Sequence, residues 1–127
     1  MSLYTGSCLC GAVRYEVEGP LRPSVACHCS QCRKTSGHYW SATQVPDARL
    51  RITCNEGLVW FRSSEKAERG FCKGCGASLF WRMDGEGMTS IGSGTLDAPE
   101  GLTTAKHIYV ADKPGYYEIE DGPEQHP

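Results

Sequence analysis

The chain has 127 residues, a net charge of −2 and a sequence pI near 6.1. A chain of this length is normally one domain, here expected over residues 1–127, and it can bury about 69% of its unfolded surface. Its 13 Lys and Arg are scattered apart from the neighbours Arg33 and Lys34, which gives nucleic acid no electrostatic footprint, and no window holds the roughly 18 apolar residues that a membrane span needs.

The opening Met1-Ser2-Leu3-Tyr4-Thr5 lacks a basic segment followed by an apolar run. No cleaved secretory signal is therefore expected, and a reducing cytoplasm is the default setting. Val13, Tyr15 and Val17 alternate with Arg14, Glu16 and Glu18, the period-two pattern of a half-buried strand. A helical turn is expected at Ser30 to Thr35, followed by strands at Tyr39 to Val45, Arg49 to Cys54 and Leu58 to Arg62. A second helical segment is expected at Ser64 to Arg69, then strands at Ala77 to Arg82, Met88 to Gly92, Lys106 to Val110 and Tyr116 to Ile119. Eight or nine short strands, with 15 Gly and 7 Pro between them, predict an all-β domain.

Seven of the eight cysteines fall into three groups: Cys8-x-Cys10, Cys27-x-Cys29-x2-Cys32 and Cys72-x2-Cys75. Two pairs close one tetrahedral zinc site, whereas a triplet leaves a fourth position for an outside group. Residues i and i+2 of a strand share a face, so Cys8 with Cys10, and Cys27 with Cys29, each present two sulfurs to one ion, and His28 points away. Gly11 and the run Lys73-Gly74-Cys75-Gly76 supply the dihedrals that turn backbone N–H groups toward thiolate. Cys8, Cys10, Cys72 and Cys75 are assigned to one structural zinc and Cys27, Cys29 and Cys32 to a second, giving two zinc ions per chain.

Competing readings exist. Eight cysteines permit a disulfide framework, which a reducing compartment disfavours. A redox Cys72-x2-Cys75 would want an α/β context that the strand pattern does not provide. Cys54 is either a fourth ligand to the triplet, which would make that site structural, or a buried inert thiol.

The runs Gly6-Ser7-Cys8-Leu9-Cys10-Gly11, Cys27-His28-Cys29-Ser30-Gln31-Cys32-Arg33-Lys34-Thr35-Ser36-Gly37 and Arg69-Gly70-Phe71-Cys72-Lys73-Gly74-Cys75-Gly76 together resemble the glutathione-dependent formaldehyde-activating enzyme family, which also includes centromere protein V. The likeness runs through Leu96-Asp97 and His107-Ile108 to about Asp121. It implies a β-tent fold, a closed four-cysteine zinc site, a second zinc on the triplet, and the joining of glutathione and formaldehyde into S-hydroxymethylglutathione, a carbon–sulfur lyase reaction run backwards. The chain departs from the family at its end, where Tyr116 and Tyr117 stand in place of a tryptophan and the closing segment reads Asp121-Gly122-Pro123.

A zinc with three thiolates carries net charge −1 and disfavours making hydroxide from water, so an incoming thiol suits it better. Zinc lowers the thiol's pKa and holds the thiolate beside a small aldehyde. A free thiol near pKa 8.5 is already about 3% ionised at pH 7, so full ionisation gains about 30-fold, or about 2 kcal/mol. That modest gain keeps two alternatives in view: a non-catalytic carrier of glutathione or thiol adducts, and a zinc-stapled interaction domain.

Arg33, directly after the triplet, is the expected contact for a substrate carboxylate, which arginine grips in bidentate fashion. Arg69 is expected to support a ligand or an ion pair. Tyr39 and Trp40 are read as pocket wall or ordinary core, His28, His38 and His107 as core or surface side chains, and Asp97 as a turn cap.

Overall fold

The computed structural model describes residues 2–127. In chain order the elements are β1 (Leu3–Ser7), β2 (Arg14–Glu18), β3 (Ser24–Cys27), α1 (Ser30–Ser36), β4 (Trp40–Pro46), β5 (Leu50–Cys54), β6 (Leu58–Arg62), β7 (Ala67–Cys72), β8 (Ser78–Met83), β9 (Met88–Gly92), β10 (Thr104–Ile108) and β11 (Glu124–Gln125). With one seven-residue helix among these strands, the all-β expectation holds. The strands form two sheets, a three-stranded one in the order β1-β2-β5 and an eight-stranded one in the order β11-β10-β3-β4-β9-β8-β7-β6. Pairings are antiparallel except those of β10 with β3 and with β11.

The alternation read around β2 works as expected. Val13, Tyr15 and Val17 are buried and belong to one core with Val45, Leu79, Phe80 and Ile91 of the large sheet. Tyr15 meets Phe80 edge-on at 5.5 Å between ring centroids, and its hydroxyl is 2.7 Å from Thr95 Oγ1. Each such buried side chain contributes about 1.5–3 kcal/mol relative to exposure. Cys8 and Cys72 belong to the same core, so one cysteine cluster is built into the packing between the sheets.

Two expected elements are replaced. Ser64 to Arg69 is not helical: the Ser64 hydroxyl accepts from the Lys66 and Ala67 N–H groups, reversing the chain, and Ala67 enters β7 directly. Glu68 and Arg69 then take ladder positions between β6 and β8. Tyr116 to Ile119 is not a strand; after a single 3-10 turn at Val110–Asp112 the chain runs through turns, with the Lys113 ammonium donating to the Pro114 and Tyr117 carbonyls. Tyr117 there packs on His28 and His38, and Tyr116 packs on Tyr117, rather than into a sheet. Among the described residues, no helix is long and apolar enough to cross a membrane.

Candidate functional site

The first cysteine cluster joins the end of β1 to the β7–β8 turn. Cys8 and Cys10 lie in a bend beyond the end of β1, not on the strand that the spacing had implied; the Cys8 N–H bonds to the Val13 carbonyl at 3.0 Å and closes the loop that brings both sulfurs into the cluster. The Val13 N–H donates to Cys8 Sγ at 3.3 Å. Opposite, Cys72 ends β7 and Cys75 sits in the following turn, where Gly76 adopts φ 80° and donates to the Cys72 carbonyl at 2.7 Å. That left-handed backbone is one that side-chain-bearing residues rarely accept.

The four sulfurs lie within 4.8 Å of one another, and the Cys8–Cys10 and Cys10–Cys72 separations are 3.7 Å. A tetrahedral zinc with bonds of about 2.3 Å spaces its sulfurs about 3.8 Å apart. N–H groups of Ala77 and Cys10 hold Cys75 down at about 6. The Ala12 N–H favours the Cys10 thiolate, but the Cys72 and Cys8 sulfurs outweigh it and push Cys10 up to about 11. Only a cation lets all four ionise together, so the donor set fits a soft dication. Packing around it is tight: a Cβ added at Gly57 would fall 2.7 Å from Cys72 Sγ.

The second cluster is local. Cys27 closes β3, cross-strand to Trp40 of β4 and to Ile108 of β10. Cys29 is the N-cap of α1, extended at φ −66° and ψ 163°, with its sulfur accepting the Cys32 N–H at 3.4 Å. A sulfur thus takes the role usually filled by a hydroxyl or carboxylate oxygen at a helix start. The strand-to-helix junction brings the Cys27, Cys29 and Cys32 sulfurs within 4.8 Å of one another. Hydrogen bonds from the Cys27 and Cys32 thiols pull Cys29 down, while sharing a proton with Cys29 and Cys32 pushes Cys27 far up. Three thiolates here again require a cation. Arg69 approaches it, with Nη2 3.6 Å from Cys32 Sγ and 3.3 Å from Gln31 Oε1.

His28, between the two ligands, is fully buried on the opposite face. Its Nε2 lies 2.8 Å from His107 Nδ1 and its Nδ1 lies 2.6 Å from the Tyr117 hydroxyl. Burial, reinforced by His107, holds His28 down at about 4, so it is neutral at pH 7. Tyr39 packs on this side, 5.1 Å from His28 and 4.5 Å from His38 between ring centroids, and Trp40 turns the other way.

The triplet opens on a cavity of about 590 Å³, within the size range of small-molecule sites. Its wall includes Trp40, Trp81, Arg69 and Arg22. A second hollow of about 530 Å³, between Tyr4, Leu21, Arg49 and Leu102, contains no cysteine. Cys54 ends β5, where its thiol donates to the Ala12 carbonyl at 3.4 Å, and it is not part of the triplet. Arg33 is half-buried on α1 and is not among the residues lining the cavity. Asp97 accepts the Thr5 hydroxyl at 2.7 Å, pinning its turn to β1. Sequence reasoning passed over Arg22, an isolated arginine beside Pro23 with no motif around it; only the β3–β4 pairing carries it to the cavity.

Residues 3–112 match the family model described as glutathione-dependent formaldehyde-activating enzyme. The chain belongs to this family. An uncharacterized lyase of Schizosaccharomyces pombe is 32% identical over 125 residues, covering 94% of this chain and 87% of its own length. A protein of Halomonas elongata, provisionally named a glutathione-dependent formaldehyde-activating enzyme, is 32% identical over 133 residues, covering 93% and 82% respectively. The crystal structure of a Rhodobacter sphaeroides protein superposes with a TM-score of 0.64 at 27% identity, over 74% of this chain and 88% of that one. The two clusters and the cavity are therefore those of a formaldehyde-activating-enzyme family member.

Proposed function

We propose that this family member is a carbon–sulfur lyase-like enzyme that condenses glutathione, or a related thiol, with formaldehyde or another small aldehyde, and that its 127 residues work as one zinc-binding domain. In this reading Cys8, Cys10, Cys72 and Cys75 hold a structural zinc, and Cys27, Cys29 and Cys32 hold a second one at the cavity. Bound there, zinc supplies a lowered thiol pKa and a fixed place for the thiolate. The observation that carries the proposal is the meeting of three mutually close sulfurs with a ligand-sized cavity while Cys54 is engaged elsewhere.

The protein's own side chains do the rest. Trp40 and Trp81 give the cavity apolar walls that limit water around the aldehyde. Arg69 offsets negative charge beside Cys32 and favours an anionic reactant. The thiolate sulfur adds to the aldehyde carbon, the carbonyl electron pair moves to oxygen, and that oxygen takes up the proton the thiol released. Atoms balance with no redox partner.

Exchange between glutathione and its formaldehyde adduct, followed by NMR with and without the protein, tests this. Acceleration of exchange is the expected result. An unchanged rate alongside retained glutathione binding would make the protein a carrier of the adduct instead.

A further inference from the structure

The end of the cavity away from the cysteines carries an arginine and a glutamate that the reaction itself does not use. Arg22 is half-buried, and its guanidinium donates to Gln44 Oε1 at 3.2 Å, to the Ala42 carbonyl at 3.0 Å and to the Pro23 carbonyl at 3.3 Å. These acceptors are all neutral. Among the described residues Arg22 has no carboxylate in an ion pair with it, and neither does Arg69. A guanidinium presents five N–H donors, so two of Arg22's remain for a ligand. Gln44 also donates to Glu86 Oε1 at 3.3 Å, which brings an exposed carboxylate to the same rim. Burial pulls Arg22 down from its ordinary value and Glu86 opposes that, yet an arginine of this kind stays charged.

The register supplies the span. On β4, Trp40 pairs with Cys27 while Gln44 pairs with Ser90 of β9, and Trp40, Ala42 and Gln44 share the face that lines the cavity. Arg22 holds Ala42 and Gln44, two and four residues from Trp40, about 7 and 13 Å along the strand, and Glu86 is reached through Gln44, so cation and anion lie beyond the reach of free cysteine's own carboxylate and ammonium. A thiol whose amino-acid head is carried on an extended amide arm crosses that distance.

We propose that Arg22 and Glu86 read an α-amino-acid zwitterion at the end of the cavity opposite the cysteine triplet, with the carboxylate on Arg22 and the ammonium on Glu86, so that the cavity selects γ-glutamyl-type thiols over short or uncharged ones. This deepens the reading of the protein as a glutathione-using enzyme and rests on it. The two residues are specificity determinants, remote from the reacting atoms.

The test is titration of the purified zinc-loaded protein with glutathione, cysteinylglycine and 2-mercaptoethanol, by calorimetry and by the fluorescence of Trp40 and Trp81. Wild type is expected to prefer glutathione. Arg22→Gln weakens glutathione binding about 10- to 100-fold, the worth of a charge-assisted hydrogen bond, and leaves cysteinylglycine within about twofold. Glu86→Gln, on an exposed turn, weakens glutathione about fivefold and guards against misfolding of the Arg22 variant, which circular dichroism monitors. Equal affinity of wild type for glutathione and cysteinylglycine, or equal losses for both in Arg22→Gln, overturns the zwitterion site alone. No binding of glutathione by wild type at millimolar concentration overturns the glutathione reading and this inference with it.

Discussion

The two cysteine clusters use the same short spacings yet are built in opposite ways. The four-cysteine cluster draws on segments 62 residues apart at Cys10 and Cys72, and two of its members, Cys8 and Cys72, are core residues between the sheets. The triplet is contained in Cys27 to Cys32, at the junction of one strand and one helix, and faces a cavity. Cysteine spacing alone does not separate a cluster built into the core from one that faces a cavity; what separates them is how many distant elements the sulfurs tie together.

The largest expected effect is at the four-cysteine cluster. Cys75→Ser removes one of the four proposed ligands of a zinc site of a kind worth on the order of 10 kcal/mol, comparable to the whole stability of a domain, and should abolish the folded state by circular dichroism. A folded Cys75→Ser with unchanged melting would break the comparison. Next, Cys27→Ser should keep the fold while metal analysis falls from two zinc ions per chain to one and glutathione binding disappears. Wild-type protein carrying a single zinc would sink the two-site reading.

A smaller effect is expected at Gly57, where an added methyl crowds Cys72 Sγ at 2.7 Å. Gly57→Ala should cost about 1–3 kcal/mol in denaturant unfolding and leave zinc and ligand at the triplet unchanged. Equal disturbance of both sites would mean that they are mechanically coupled.

The smallest concerns the core beside the four-cysteine cluster, where burial pushes Tyr15 up to about 12. A raised folded-state value makes the unfolded chain release its proton first, so this stability is complete below pH 10 and is lost as pH rises toward 12. By pH 11 the loss is about 1.4 kcal/mol. Tyr15→Phe should flatten that part of the stability–pH curve; an identical alkaline slope would assign the loss to other groups.

Much of this was legible because the signals are local. Val13, Tyr15 and Val17 announce their shared face by alternation, and cysteines one and two residues apart announce clustered sulfurs whether they lie at a strand end or, like Cys8 and Cys10, in a bend. The Ser64 turn was missed because a hydroxyl accepting backbone N–H groups can begin a turn or a helix with the same residues. Tyr117 meeting His28 across 89 positions, and Arg22 meeting Gln44 across 22, depend on how strands come to lie beside one another, which no short window contains.

The sequence distance across each cluster also sets an order of events during biosynthesis. Bringing together ends 62 residues apart, as Cys10 and Cys72 require, costs about 2 kcal/mol more loop entropy than closing the triplet. If both clusters hold zinc as proposed, newly made chain would capture its first ion at Cys27 to Cys32 before any sheet exists, and an ion also held by the unfolded chain would add little to stability. The second ion would wait for both sheets. Scarce zinc would then leave chains loaded at the triplet and still unfolded.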